Sequence, residues 1–256
     1  MNIALITAAG SGTRMQQDIP KQFITVYDKP VIMYTMEAFQ KHPLIDEIYV
    51  ICLKGWEDTL RAYAKQYNIT KLKEIVLGGD TGQQSIINGL NEIKKTHKPT
   101  DLIMINDGNR PLINTDIISA SVDVCKKHGN AIAAIPTTEA ILVSEDGGVS
   151  SKQSVPREKL LRTQTPHTFP LGDLIKLYDA VIKKGINSVA ACDAMAHLGK
   201  DVYFSPGSVH NFKLTTVEDF EMFKALLSGV NLVGFKNVEQ GLIEVTLPTS
   251  KGIYNV

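Results

Sequence analysis

Arg14 and Lys21 come after a run of small residues, Ala8-Ala9-Gly10-Ser11-Gly12-Thr13, that follows directly on an apolar stretch at residues 2–7. That order suits the handling of phosphate. A buried strand feeds a turn whose glycines, at 10 and 12, permit positive φ and leave no Cβ between backbone N–H groups and an anion. The guanidinium and the ammonium then add fixed positive charge. The plainer alternative is a tight strand-to-helix turn with solvated cations, since glycine patterns alone are weak evidence; the added Pro20-Lys21-Gln22-Phe23 favours function. Two better-known phosphate motifs fail. The dinucleotide fingerprint needs a third glycine where Met15 stands, and the P-loop needs a Gly-Lys-Ser/Thr that the chain lacks.

The elements that must position these residues alternate along the chain. Apolar runs of strand length fall at residues 2–7, 46–53, 73–77, 101–106 and 130–136, and helical periodicity at 31–42, 56–67, 83–95 and 115–128. Strand, loop, helix in repetition predicts an α/β fold, a Rossmann-like three-layer sandwich with a mostly parallel sheet. Ligands in such sheets gather at the carboxyl ends of strands. The loops at Gly10, at Gly79 and at Asp107 all follow strands. Residues 137–162 change character: 140–143 reads as a strand, 145–148 as a turn, and the chain returns as a strand from Val149. This is a protruding β-hairpin arm and a candidate dimer contact, against the alternative of a decorated surface loop. Helices follow at 171–184 and 189–198, strands at 202–205 and 211–216, and a last helix opens at Glu218 and Asp219. Residues 1–228 read as one domain and 229–256 as a tail, with a strand at 242–247, that this pattern does not place.

The bulk numbers exclude several classes. The chain has 256 residues, 43% hydrophobic and 21% charged, with a formal net charge of +0. A nucleic-acid binder relying on a basic face is disfavoured, while a local basic pocket for a small phosphorylated molecule is not. No apolar run approaches the ~20 residues that span a bilayer. Cys52, Cys125 and Cys192 are isolated and form no metal or disulfide pattern, which fits buried thiols in a cytoplasmic protein.

Taken in order, Ala8 to Met15, Pro20-Lys21-Gln22-Phe23, Gly78-Gly79-Asp80 with Ser85, Asp107 with Arg110-Pro111, Arg157, Gln164-Thr165-Pro166, and Lys213 with Thr215-Thr216 resemble the cytidylyltransferases that activate sugar-alcohol phosphates. The family's members act on ribitol 5-phosphate or 2-C-methyl-D-erythritol 4-phosphate. The resemblance implies the nucleotidyltransferase fold, CTP and a phosphorylated polyol as partners, Mg²⁺ carried mainly by the nucleotide with Asp107 nearby, and no nucleic acid or membrane. It implies that Arg14, Lys21 and Lys213 surround the triphosphate as catalytic cations. Ala8, Ala9, Gly10, Gly12, Gly79, Asp80 and Ser85 would bind the nucleotide, and Asp107, Arg110 and Arg157 the acceptor, the last across a homodimer interface made by the arm. CDP-polyol products of this family commonly feed cell-wall or capsule polymers.

Departures fall on the acceptor side and the triphosphate edge. The family's His-Asp-Ala-x-Arg-Pro is Asn106-Asp107-Gly108-Asn109-Arg110-Pro111 here, and an arginine expected near Gly82 is missing. Two alternatives to a ribitol-type acceptor therefore stay open: the methylerythritol phosphate of isoprenoid synthesis, and a catalytically weak nucleotide-binding regulator. Retention of the three cations argues against a pure sensor.

Overall fold

The computed structural model describes residues 1–10, 19–228, 234–237, 243–249 and 252–255. In chain order it places β1 (Asn2–Ala8), a small hairpin of β2 (Thr25–Val26) and β3 (Lys29–Pro30), α1 (Val31–Lys41), β4 (Glu47–Cys52), α2 (Glu57–Gln66), β5 (Leu72–Leu77), α3 (Gly82–Ile93), β6 (Leu102–Asp107), α4 (Thr115–His128) and β7 (Ala131–Pro136). Then come β8 (Ile141–Val143), β9 (Gln153–Val155), β10 (Leu161–Pro170), α5 (Leu171–Lys183), α6 (Ala191–His197), β11 (Phe204–Pro206), α7 (Val217–Leu227), β12 (Gly234–Asn237), β13 (Ile243–Thr249) and β14 (Gly252–Asn255). The chain divides into two compact units, Met1–Leu214 and Thr215–Val256.

The first unit is built on a seven-stranded sheet of order β11-β7-β10-β6-β1-β4-β5. β1 runs parallel to β4 and β6, β5 to β4, and β11 to β7, while β10 lies antiparallel between β6 and β7. The strands are apolar almost throughout because both sheet faces are covered. Ile3, Leu5, Ile51 and Ile103 pack with Leu90 of α3 and Leu174 and Leu177 of α5 on one face. Ala4, Ile6 and Val50 pack with Met36 and Phe39 of α1 and Ile118 of α4 on the other. Each fully buried large aliphatic side chain contributes about 1.5–3 kcal/mol, so the helices are held by the same alternation that makes the strands. The result is the expected three-layer α/β sandwich.

Three local readings need correction. The arm's returning strand begins at Gln153, not Val149. Asp146 draws the intervening chain into a compact turn, accepting from the N–H of Val149 (3.0 Å), the N–H of Ser150 (3.0 Å) and the hydroxyl of Ser144 (2.6 Å). Residues 211–216, expected as a strand, pair with no ladder; side chains supply their bonds instead. The hairpin of β2 and β3 was not foreseen. It turns through Tyr27 and Asp28 at φ 47° and 60°, without the glycine that usually signals such a turn.

In the second unit, a capping box opens α7: Thr216 Oγ1 accepts from the N–H of Asp219 (3.4 Å), and Asp219 Oδ2 accepts from the N–H of Thr216 (2.8 Å). β12, β13 and β14 form an antiparallel sheet, and β13 covers most of the strand expected at 242–247. Among the described residues, no helix is long and apolar enough to cross a membrane. Cys52 and Cys125 are buried, and burial pushes both thiols up to about 12, which leaves them inert near neutrality.

Candidate active site

A cavity of about 540 Å³ opens where β1, β5 and β6 end. Its wall includes Ala8, Ala9 and Gly10 from the bend after β1, Gly79 and Asp80 from the loop after β5, and Asp107 and Arg110 from the loop after β6. Lys21, Ser85, His167 and Lys213 also line it. Ten of the thirteen residues expected from sequence thus share one hollow. Gly12 and Arg14 lie outside the described residues. Arg157 is not among the lining residues. It is exposed on a turn at the base of the arm, where Nη1 donates to the carbonyl of Thr138 (2.9 Å).

The bend after β1 is shaped by a residue to which sequence reasoning assigns no role. Gln22 sits in a single helical turn (Lys21–Phe23) and is only 3% exposed. Its Nε2 donates to the carbonyls of Ala8 (2.7 Å) and Gly10 (3.1 Å). With both carbonyls engaged by one buried amide, the bend is held open without a ligand. Gly10 does not take up the positive φ that a glycine permits, and among the described residues a Cβ there would meet nothing within 4 Å.

Across the cavity, Thr81 caps α3 by accepting from the N–H of Gln84 (3.0 Å). Ser85 Oγ accepts from the N–H of Gly79 (3.0 Å) and donates to the carbonyl of Thr81 (2.9 Å). Ser85 therefore shapes the Gly79-Asp80 loop directly. The double glycine is demanded by packing: a Cβ on Gly78 would collide with that of Ala9, and one on Gly79 with the Gln84 side chain. At Gly82, where an arginine is missing, an added Cβ would lie 2.7 Å from Cγ1 of Val189. Val189 and Ala190 wall that corner, and their loop is pinned by Gln83 Oε1, which accepts from the N–H of Ser188 (2.6 Å).

The electrostatic centre is Asp107, the last residue of β6. Lys213 Nζ lies 2.9 Å from its Oδ1 and Arg110 Nε 3.0 Å from its Oδ2. Arg110 Nη1 also donates to the carbonyl of Asn211 (2.7 Å), and the N–H of Asp107 donates to Thr165 Oγ1 (3.1 Å). Burial acts to raise the Asp107 carboxyl, but Lys213 and Arg110 together outweigh it and hold it at about 2. One carboxylate between two cations leaves net positive charge, arranged to meet an anion. His167 is buried at the edge of this cluster. Burial lowers it to about 4, with Arg110 and Lys213 adding to that effect against the opposing pull of Asp107. It is neutral at pH 7 and carries no charge into the site.

Lys213 arrives on residues 208–214, a segment without a strand partner. Asn109 and Asn211 hold it by side-chain amides, and sequence reasoning assigned neither a role. A buried asparagine beside a functional loop has no local signature; only the contact across about a hundred positions reveals it. Among the described residues, no group of three or more His, Cys, Asp or Glu could cage a metal. The donor set, with Asp107 and Asp80 as the cavity's carboxylates and both Asp107 oxygens accepting from cations, fits a hard cation that brings most of its ligands with a nucleotide's phosphates.

Residues 2–229 match the family described as IspD, 2-C-methyl-D-erythritol 4-phosphate cytidylyltransferase. The chain is 37% identical over 230 residues to ribitol-5-phosphate cytidylyltransferase of Lacticaseibacillus paracasei, covering 89% of this chain and 98% of the relative. It is 38% identical over 230 residues to the protein of the same name from Vibrio parahaemolyticus, covering 89% and 96%. The fold superposes on the crystal structure of 4-diphosphocytidyl-2C-methyl-D-erythritol synthase from Anaerococcus prevotii with a TM-score of 0.75 at 23% identity, covering 89% of this chain and 98% of that one. A match over nearly the whole first unit, on a fold with its glycine bend and cation-flanked aspartate at the strand ends, makes this chain a member of the IspD cytidylyltransferase family, and so a nucleotidyltransferase.

Proposed function

We propose that the protein transfers CMP from CTP to ribitol 5-phosphate or a closely similar polyol phosphate, giving a CDP-polyol and pyrophosphate. The carrying observation is Asp107 held between Lys213 and Arg110 on a cavity that Lys21 and the Gly10 bend also line. The two relatives at 37% and 38% identity, both named for ribitol 5-phosphate, support this acceptor.

In this reading a phosphate oxygen of the acceptor attacks the α-phosphorus of CTP. The bond from that phosphorus to the bridging oxygen breaks, and pyrophosphate leaves with the electron pair. No proton need move at the reacting centre, which suits a site whose histidine is neutral and buried. Catalysis is then positioning plus charge stabilisation. Lys21 and Lys213, with Arg14, meet the negative charge that spreads over the phosphates in the transition state. The bend at Ala8, Ala9, Gly10 and Gly12 and the loop at Gly79 and Asp80, shaped by Ser85, take the nucleotide. Asp107 and Arg110 face the acceptor. Asp107 also keeps Lys213 extended toward the cavity before an anion enters.

Asp107 and Asp80 would stand at the edge of a Mg²⁺ ion brought by the nucleotide, which would supply neutralisation of phosphate charge. Arg157 grips the acceptor phosphate of a second copy in a homodimer formed through the arm. Exposure of Ile141, Leu142 and Val143 on the arm supports that contact. Residues 1–228 form the catalytic domain, working in the cytoplasm where CTP is supplied. The family match favours a second acceptor, 2-C-methyl-D-erythritol 4-phosphate.

The test is pyrophosphate release from CTP and Mg²⁺ with ribitol 5-phosphate, glycerol 3-phosphate or 2-C-methyl-D-erythritol 4-phosphate offered singly. Highest kcat/KM with ribitol 5-phosphate supports the proposal. Release with methylerythritol phosphate alone establishes the second acceptor in its place, and release with none overturns both.

A further inference from the structure

Lys213 must reach the cavity from a part of the chain that the sheet does not hold. After β11 a last backbone bond joins Gly207 to Ala134 of β7 (2.9 Å), and the chain runs on through residues 208–214 with no ladder hydrogen bonds, yet it returns to the loop after β6 with its lysine 2.9 Å from Asp107. Side chains replace the missing ladder. Gln164 engages the start of the segment twice, donating to the carbonyl of Ser208 (2.8 Å) and accepting from its N–H (3.1 Å). Asn211, fully buried, donates to the carbonyl of Thr165 (2.8 Å). Asn109, 5% exposed, closes the end: its backbone carbonyl accepts from the N–H of Leu214 (2.9 Å), and its side-chain Nδ2 donates to the carbonyl of Leu214 at 2.5 Å. Lys213 is thus bracketed by one anchor two residues before it and another one residue after it. Asn109 lies two residues from Asp107, so the same short loop presents the carboxylate and fixes the lysine.

We propose that Asn109 is a positioning residue for Lys213, its side-chain amide clamping the Leu214 carbonyl so that the ammonium is presented beside Asp107. The proposal rests on the reading of Lys213 as a catalytic cation. A buried amide is suited to this task. It supplies the donor that a neighbouring strand would have given, and its loss leaves the buried Leu214 carbonyl without that partner. A lysine on a four-carbon stem loses precision when its backbone is free to shift, and displacements of about 1 Å can cost on the order of a hundredfold in rate.

A double-mutant cycle tests this, read as kcat and KM for CTP with Mg²⁺ and the best acceptor. Asn109→Ala should lower kcat about 10- to 100-fold with KM for CTP changed less than about threefold. In a Lys213→Ala background the same substitution should change kcat less than about twofold, because its effect runs through the missing ammonium. An equal loss in both backgrounds overturns the proposal, since a merely structural role would act with or without the lysine. If Asn109→Ala does not fold, Asn109→Asp keeps the shape, removes the donor and enters the same cycle.

A second measurement does not need turnover. Hydrogen exchange at the Leu214 amide should quicken about tenfold in Asn109→Ala while the β6 amides are unchanged. Unchanged Leu214 exchange overturns the clamp. A wild-type protein inactive with every acceptor but showing the exchange change would fail the proposed function and leave the clamp standing.

Discussion

Arg110 and Arg157 are both assigned to the acceptor, and the molecule holds them in opposite ways. Arg110 has a side chain only 12% exposed, fixed by Asp107 at 3.0 Å and the Asn211 carbonyl at 2.7 Å. Its loop hangs from the central strand β6, whose neighbours β1 and β10 are themselves paired on both sides. Arg157 is exposed at the base of an arm whose two short strands pair only with each other, and it donates to the Thr138 carbonyl. The first arginine is pre-organised before any ligand binds. The second acquires a fixed environment only if something else packs on the arm. Charge that must stabilise a transition state belongs on the first kind of support, where no reorganisation is needed at the moment of reaction. Charge that selects and retains a substrate can sit on the second.

The largest expected effect breaks the comparison at its pre-organised pole. Lys213→Ala should cut kcat by about 10²–10³, the range for removing one fixed transition-state charge partner, with KM for the acceptor little changed. Steady-state kinetics with the best acceptor check this, and an unchanged kcat removes Lys213 from the mechanism.

Next, Arg110→Ala should both destabilise the fold by about 2–3 kcal/mol and impair turnover. It leaves a largely buried carboxylate with one cation and the Asn211 carbonyl without its donor. Arg157→Ala should leave the melting temperature unchanged and raise KM for the acceptor. Paired thermal melts and kinetics separate the two. A melting temperature lowered equally by both would show that the arm's arginine is structural and that the contrast is false.

The pre-organised side also carries a pH signature. His167 is held neutral, at about 4 against about 6.5 in an unfolded chain. Between those values the unfolded chain binds a proton that the folded chain does not, so stability is full above pH 6.5 and declines as pH falls toward 4. His42, also lowered by burial, acts in the same direction. Asp107, at about 2, contributes stability above about pH 4 that is lost only as pH falls toward 2. Denaturant melts at pH 7 and pH 5 should differ by about 2 kcal/mol, and His167→Gln should remove most of that difference. A His167→Gln profile as steep as the wild type's would refute the assignment to this residue.

What could be read from the chain divides along the same line. The parallel strands and their helices were legible because burial on both faces writes itself as short apolar runs, and the loops at Gly10, Gly79 and Asp107 follow from where those runs stop. The resemblance supplied Lys213, whose long-range contact with Asp107 no local pattern encodes. Residues 211–216 read as a strand because Phe212 and Leu214 suggest alternation, whereas their bonds go to Asn109, Arg110, Thr165 and Asp219. The packing at Gly82 is equally hidden: the missing arginine is visible in sequence, but the Val189 side chain that a Cβ on Gly82 would meet comes from a loop a hundred residues on.

The smallest effect sharpens the comparison by asking whether pre-organisation extends to a loop without charge. Gln22 presents one amide to two carbonyls of the bend, Ala8 at 2.7 Å and Gly10 at 3.1 Å. Removing it frees a buried and a solvent-facing carbonyl, and water can replace the donor only at the second, so the cost to the shape of the bend is about 1 kcal/mol. Ground state and transition state use the bend alike in the proposed reaction, because the nucleotide does not leave it as the α-phosphorus reacts. The loss should therefore fall on KM for CTP, raised about five- to tenfold, with kcat within about threefold of wild type. Gln22→Glu should bind CTP still more weakly, since a carboxylate cannot donate to either carbonyl and opposes the triphosphate. A Gln22→Ala variant with unchanged KM and lowered kcat would place the bend in the chemical step instead, and would move the boundary between positioning and catalysis from the Asp107 loop to the end of β1.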